Sequence, residues 1–115
     1  MPSMIYVLWQ FRVKPEKTEQ FERDYGPEGI WAQLFRRSPR YERTSLLRDP
    51  SQEASYIVID IWQDEGSYHA FKKEFHVDYQ RLDRECEALT VEEKPLGIFD
   101  AVTGSQFPVP SAQKS

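Results

Sequence analysis

A carboxylate in the middle of an apolar strand is the side chain of this sequence best suited to chemistry. Asp60 lies in the run 55–62 (SYIVIDIW), where it shares one face of the strand with Val58 and Trp62. A carboxylate kept from water there would have a raised pKa and could act as a general base toward a phenol or an acidic C–H group. The alternative is a structural role, in which an ion pair or hydrogen bond to Arg12 or another strand neighbour holds Asp60, because buried carboxylates are normally paired.

The two histidines offer acid–base chemistry but no metal site. His69 and His76 are seven residues apart, which is about 10.5 Å along a helix and too far for a shared metal ion. His76 is a candidate acid or base at the rim of a cavity near neutral pH, or else a surface histidine. The single cysteine, Cys86, excludes an intrachain disulfide and a cysteine-rich zinc motif, and it is expected to pack in the core. No flavin or metal motif is visible, so we expect no cofactor.

Large aromatic side chains form the other candidate set. They could wall a pocket for a flat aromatic ligand, or they could fill the core without leaving a cavity. The chosen substrate-binding and catalytic aromatics are Trp9, Trp31, Trp62, Tyr68, Phe71 and Phe75.

Composition limits the class of protein. The chain has 115 residues, of which 39% are hydrophobic and 30% charged, as expected for one globular domain. A net charge of −4 and a pI near 5.2 are a poor match for nucleic acid or an anionic membrane. No apolar run approaches the roughly 20 residues that span a bilayer, and the first ten residues do not resemble a signal peptide. A cytoplasmic location is therefore expected.

Four strands are predicted to position these side chains. Residues 4–13 alternate with period two, and both faces are apolar in the first half, which is typical of a central strand. Residues 41–48 predict a second strand with one polar face, and residues 55–62 a third, rich in β-branched side chains. Residues 96–102 predict a short last strand.

Two helical regions lie between the strands. The first runs from Glu16 to Phe35 and is predicted to bend at Gly26-Pro27. The second is predicted as one helix of about five turns, capped by Asp64, with apolar positions on one face at Tyr68, Phe71, Phe75, Tyr79, Leu82 and Cys86. Residues 90–93 (TVEE) match a capping box and predict one further helical turn.

The order β-α-β-β-α-β predicts an α+β, ferredoxin-like fold with a four-stranded antiparallel sheet and two helices on one face. The expected domain covers residues 1–102, and residues 103–115 are expected to form a C-terminal tail. The face without helices is also apolar, so we expect two copies to meet there in a homodimer.

Four segments resemble the antibiotic biosynthesis monooxygenase family of dimeric α+β barrel proteins. They are VKPEK after the first strand (13–17), WAQLF (31–35), LLRD (46–49) and WQDEGSY (62–68). The resemblance covers Ile5 to Phe99. It implies a homodimer whose facing sheets make a barrel, with a ligand cavity between each sheet and its helices, and cofactor-independent oxidation of phenols to quinones among the family's activities.

The resemblance also carries roles onto single residues. A tryptophan that closes strand three and a tyrosine six residues later correspond to Trp62 and Tyr68, which would line the cavity. Val58 stands where the phenol-oxidising members have an asparagine, and Phe71 where many members have a histidine. The haem-degrading branch is less similar, because its helix histidine and strand-one asparagine have no counterpart at matching positions.

The sequence thus predicts a cofactor-independent monooxygenase for a small aromatic or phenolic metabolite. Its expected catalytic residues are Asp60, Trp62, Tyr68 and His76, with substrate contacts from Trp9, Trp31, Phe71 and Phe75. The alternative is a dimeric barrel without catalysis that binds or senses an aromatic or lipophilic small molecule.

Overall fold

A computed structural model describes residues 4–102, which form a four-stranded antiparallel sheet in the order β2-β3-β1-β4. Its strands are β1 (Ile5–Val13), β2 (Tyr41–Arg48), β3 (Ser55–Trp62) and β4 (Thr90–Asp100). The second and third strands have the predicted bounds. β1 lies between β3 and β4, as its apolar faces predicted.

Helices connect β1 to β2 and β3 to β4, which confirms the ferredoxin-like order. The α-helices are α1 (Thr18–Tyr25), α2 (Ile30–Phe35), α3 (Glu65–Glu74) and α4 (His76–Cys86), with 3₁₀ turns at Pro15–Lys17 and Glu87–Leu89. They pack on one face of the sheet, where Phe21, Trp31, Leu34 and Phe71 join strand residues in one buried cluster.

The bend in the first helical region occurs where it was predicted. α1 ends before Gly26, whose backbone is extended with ψ 179°, and Pro27 follows it. Gly29 caps α2 at a point of close backbone approach: a Cβ atom there would lie 2.2 Å from the carbonyl oxygen of Asp24. Glycine is therefore required for the chain to turn from α1 into α2.

The prediction of a single second helix was wrong in one respect. Asp64 does cap α3, because its Oδ1 accepts a 2.7 Å hydrogen bond from the Ser67 N–H, but the helix is divided at Phe75. That residue has φ −106° and ψ 31°, outside the α-helical values. Backbone hydrogen bonds still join Phe71 to Phe75 and Phe75 to Tyr79, so the break is a local distortion rather than a change of direction.

The capping box predicted at residues 90–93 was also wrong. Thr90 is the first residue of β4 and pairs with Val13 at the end of β1, so these residues extend the last strand instead of forming a turn. Pairing with β1 outweighs the local capping pattern. Pro95 is tolerated within β4 because this is an edge strand and the register shifts beside it, between Leu8 and Trp9.

The face of the sheet without helices, called the open face below, is only partly exposed. Its central residues Ile59 and Ile61 are 1% and 0% exposed. Exposed apolar side chains lie toward the two edge strands, at Leu47 of β2 (46%) and Phe99 of β4 (50%). The open face therefore presents its apolar surface at its margins.

Two further expectations concern single segments. Cys86 is buried, as predicted for a packing role. Among the helices that the structure describes, none has the length and apolarity needed to cross a membrane. The expected tail at residues 103–115 lies outside the described residues.

Candidate active site

A small cavity lies between the sheet and its helices. Its volume is about 30 Å³, which is room for about one water molecule. β1, β3 and β4 supply one wall, and α1, α2 and α4 supply the other. The lining residues are Trp9, Phe11, Tyr25, Trp31, Phe35, Val58, Asp60, Tyr79, Asp83 and Glu93.

Asp60 is the buried carboxylate of this cavity. It is 7% exposed, and its Oδ1 accepts a 2.7 Å hydrogen bond from the Thr44 hydroxyl. The Thr44 and Tyr41 hydroxyl oxygens are 2.6 Å apart. Because Thr44 has one proton and gives it to Asp60, the Tyr41 hydroxyl donates to Thr44. The three side chains form a directed chain of hydrogen bonds that ends at the carboxylate.

A β-bulge makes this arrangement possible. Tyr41 pairs with Trp62 and Arg43 with Ile61, so Glu42 is an extra residue in β2. The extra residue changes the alternation of the strand, and as a result both Tyr41 and Thr44 face the helices. Thr44 then lies directly opposite Asp60 in β3.

Burial dominates the electrostatics of Asp60. Removal from water raises the pKa of Asp60 to about 7, although the Thr44 hydrogen bond opposes the rise by stabilising the charged form. Burial raises the pKa of Tyr41 and of Tyr68, each to about 12, and the negative charge of Asp60 contributes to both increases. Asp60 can therefore exchange a proton near neutral pH, while the tyrosines around it stay protonated.

Trp31 brings an unused hydrogen-bond donor to the cavity wall. Its indole Nε1 is buried and makes no hydrogen bond of acceptable geometry with any described residue. The Tyr25 hydroxyl and the Cys86 thiol are the groups close enough for Trp31 to favour their ionised forms. The rings of Trp31 and Tyr79 meet in an edge-to-face arrangement, with centroids 5.1 Å apart and planes at 69°, a favourable aromatic geometry. An acceptor atom in the cavity would satisfy this N–H group.

The mouth of the cavity is acidic. Glu93 of β4 is exposed and Asp83 of α4 is half-buried, and both line the cavity. Partial burial raises the pKa of Glu93, and the negative charges of Asp83 and Glu87 raise it further. Two carboxyl groups thus line the same cavity as Asp60, and no lysine or arginine of residues 4–102 lines it with them.

The structure separates the predicted site residues into two groups. Trp9, Trp31 and Asp60 line the cavity. Trp62 does not, because it is 0% exposed and packed among other rings, within 5.6 Å of the ring centroids of Phe35, Tyr41, Tyr68 and Phe71. It forms the packed floor beside the cavity.

The other predicted residues lie farther out. Tyr68 and Phe71 are buried in the aromatic cluster around Trp62, and Phe75 is half-buried with the Arg37 guanidinium 5.5 Å from its ring centroid. His76 is exposed at the start of α4. Tyr68, Phe71, Phe75 and His76 are not among the residues around the cavity, and their predicted roles in catalysis or binding remain predictions.

The structure identifies the hydrogen-bond partner of Asp60. Arg12, the partner considered from the sequence, instead forms an ion pair with Glu92 at 3.4 Å. The strand neighbour that holds Asp60 is Thr44. Within residues 4–102, no group of three or more metal-ligating side chains comes together.

Several residues that line the cavity or hold Asp60 were not selected from the sequence as site residues. Thr44 looked like part of an ordinary strand, and Glu93 was assigned to a helix cap. Tyr25 and Asp83 occupy helix positions without a distinctive motif. Tyr79 was recognisable from the sequence, because it shares an apolar helix face with Tyr68. That pattern indicates core packing as much as a pocket.

Comparison with known proteins agrees with this architecture. The model of the antibiotic biosynthesis monooxygenase family matches residues 4–78, which is most of the described chain. The chain belongs to the antibiotic biosynthesis monooxygenase family. Proteins of this family are typically dimeric. A search of curated proteins found no significant match.

Several solved structures share the fold. SnoaB, a cofactor-independent oxygenase from Streptomyces nogalater, is 24% identical with a TM-score of 0.65, over 92% of this chain and 98% of SnoaB. PA3566 from Pseudomonas aeruginosa is 18% identical with a TM-score of 0.63, over 89% of this chain and 97% of its own. A candidate antibiotic biosynthesis monooxygenase from Nitrosomonas europaea is 17% identical with a TM-score of 0.66, over 91% and 96% of the two chains.

Proposed function

We propose that the protein is a cofactor-independent monooxygenase that oxidises a small phenolic metabolite, and that it works as a homodimer. The observation that carries the proposal is Asp60, a buried carboxyl with a pKa raised to about 7 that lines an aromatic-walled cavity. Family membership supports oxygenase chemistry, and SnoaB, which is similar in fold, is a cofactor-independent oxygenase.

In this proposal Asp60 removes the proton of the phenol. The phenolate is electron-rich and gives electrons to dioxygen, after which a carbon–oxygen bond forms on the ring and water leaves. Conversion of a phenol and O₂ to a quinone and water balances with all four electrons supplied by the phenol. The stoichiometry therefore needs no external reductant.

The other cavity residues would bind and orient the ring. Trp9 and Trp31 offer faces and edges for stacking, and the unsatisfied N–H of Trp31 would stabilise the phenolate oxygen as charge develops. Trp62 and Tyr68 would hold the cavity floor rigid. A phenol is larger than the present cavity of about 30 Å³, so side chains of its wall would have to move when a substrate binds, and the half-buried Tyr79 is one candidate.

Oxygen uptake tests the proposal. Hydroxylated polycyclic aromatics are incubated with the protein under air and under anaerobic conditions, and quinone formation is followed by absorbance. We expect oxygen-dependent quinone formation that falls by about 10²–10⁴-fold in Asp60→Asn, the usual contribution of a general base. Glu19→Gln, on the exposed first turn of α1, is the control and should retain activity.

One observation favours a second function, binding without turnover. The Asp60 carboxylate already has a hydrogen-bonded role with Thr44 and Tyr41, which is what a purely structural carboxylate would show. Anaerobic binding of a phenol without oxygen uptake across the whole panel would contradict the monooxygenase and support the binding protein.

A further inference from the structure

The charged groups around the cavity indicate the charge of the ligand as well as its aromatic character. Three carboxyl groups line the cavity, Asp60 inside and Asp83 and Glu93 at the mouth. No lysine or arginine lines it among residues 4–102. The Lys72 ammonium group, which does not line the cavity, lies 5.1 Å from the ring centroid of Tyr79.

The carboxyl groups at the mouth repel one another. The pKa of Glu93 is raised by partial burial and then by the charges of Asp83 and Glu87. Asp78, also on α4, has cationic partners instead: it pairs with Arg37 at 2.7 Å and with Arg81 at 2.9 Å. A positive charge at the mouth would remove the repulsion that Glu93 experiences.

The aromatic wall favours the same kind of charge. Six rings line the cavity, those of Trp9, Phe11, Tyr25, Trp31, Phe35 and Tyr79. The face of an aromatic ring carries negative electrostatic potential and attracts organic ammonium groups. The aromatic rings and the carboxylates therefore both favour a positively charged ligand group.

The inner end of the cavity requires a different group. The buried N–H of Trp31 makes no hydrogen bond of good geometry with the described residues, although Tyr25 and Cys86 lie near it. Asp60 offers an acceptor or, when protonated, a donor. A ligand hydroxyl can accept from Trp31 and donate to the Asp60 carboxylate, because it carries both a proton and lone pairs.

From these observations we infer that the ligand is a hydroxyaryl amine, with its hydroxyl between Trp31 and Asp60 and its protonated amino group at the mouth between Asp83 and Glu93. The inference rests on the proposed function for the location of the site, and it adds the substrate class. It also predicts discrimination against anionic phenols, because their carboxylates would face Asp83 and Glu93.

Binding under anaerobic conditions separates this inference from catalysis. Calorimetric titrations at neutral pH and low salt compare four single-ring probes: tyramine, para-ethylphenol, phenethylamine and para-hydroxyphenylpropionate. We expect tyramine to bind about tenfold or more tightly than para-ethylphenol, which lacks the charge. Phenethylamine, which lacks the hydroxyl, should also bind more weakly than tyramine, and the carboxylate should bind most weakly.

Matched variants locate the charge effect. Glu93→Gln and Asp83→Asn should each lower tyramine affinity several-fold and leave the affinity of para-ethylphenol unchanged. Glu19→Gln removes the same charge from an exposed site on α1 and should change neither. An equal loss in Glu19→Gln would show that net charge, not the mouth, selects the ligand, and would overturn the inference.

The remaining outcomes are equally decisive. Equal affinities for tyramine and para-ethylphenol, tighter binding of the carboxylate, or no binding of any probe would each overturn the inference. Tyramine binding without later oxygen uptake would leave the inference standing and contradict the monooxygenase. Oxygen uptake at equal rates with cationic, neutral and anionic phenols would support the monooxygenase and contradict the inference.

Discussion

The Thr44 hydroxyl donates a 2.7 Å hydrogen bond to Asp60 Oδ1 directly across the β2–β3 pair. This contact is the principal interaction that favours the charged form of Asp60, against burial, which favours the neutral form. The two effects together leave the carboxyl titrating near neutral pH. The reactivity proposed for the cavity therefore depends on a residue of β2 as well as on Asp60.

Replacement of Thr44 by valine should shift the titration of Asp60. Valine keeps the shape but donates no hydrogen bond, so the pKa of Asp60 rises above about 7 and the pH at which activity reaches half its maximum rises with it. Loss of the bond should also cost about 1–3 kcal/mol of unfolding free energy at pH 8. The measurements are the pH profile of oxygen uptake and urea unfolding. An unmoved profile in a folded variant would show that Asp60 is not the group that titrates in the reaction.

The stability of the protein should depend on pH through Asp60. The pKa of Asp60 is about 7 in the folded protein, against 3.8 for an ordinary aspartate. The folded protein therefore binds the Asp60 proton more tightly than the unfolded chain does. The resulting stabilisation is complete below about pH 4 and is lost as pH rises through about 7. Urea unfolding of the wild type and of Asp60→Asn should therefore diverge over this interval, by less than about 4 kcal/mol. A pH-independent difference would contradict a buried, titrating Asp60.

The open face should hold two copies of the chain together. Phe99 pairs with Tyr6 across β1 and β4 and is 50% exposed, so a glutamate at position 99 would place a charge in the proposed interface. Light scattering should give about twice 13.6 kDa for the wild type and about 13.6 kDa, the mass of one chain, for Phe99→Glu. Val77→Glu is the control, since Val77 is 73% exposed but lies on α4. A wild-type monomer at micromolar concentration would contradict the proposed homodimer.

His76 should prove dispensable for oxidation. It is exposed at the first residue of α4 and is not among the residues that line the cavity. We expect His76→Gln to keep the wild-type rate and pH profile of oxygen uptake within about twofold. A large loss of rate without a loss of thermal stability would instead support the acid–base role that the sequence suggested.

The fold was largely predictable because its signals are periodic. The alternation in β1 and the dense β-branched run of β3 identified the strands, and they placed Asp60 on the buried face. The partner of Asp60 was not predictable, because Tyr41 and Thr44 are three residues apart and strict alternation puts them on opposite faces. Only the bulge at Glu42, which has no sequence signal of its own, brings both to the same face.

The position of the cavity was also beyond sequence reasoning. Trp62 shares the face of Asp60, as predicted, but the rings of Phe35 and Phe71 lie 5.6 and 5.2 Å from its ring and fill the space around it. The void lies instead beside Trp9 and Val58. Which aromatic side chains leave a gap is decided by their joint packing, and periodicity carries no information about that packing.

The bulge at Glu42 makes the length of β2 as important as its composition. Deletion of this one residue would restore regular alternation and would turn either Tyr41 or Thr44 toward the opposite side of the sheet. Asp60 would then lose its chain of hydrogen bonds, although the sequence would still contain Tyr41, Thr44 and Asp60. Insertions and deletions in this strand are thus an evolutionary route by which related chains could gain or lose a neutral-range proton acceptor without any substitution at position 60.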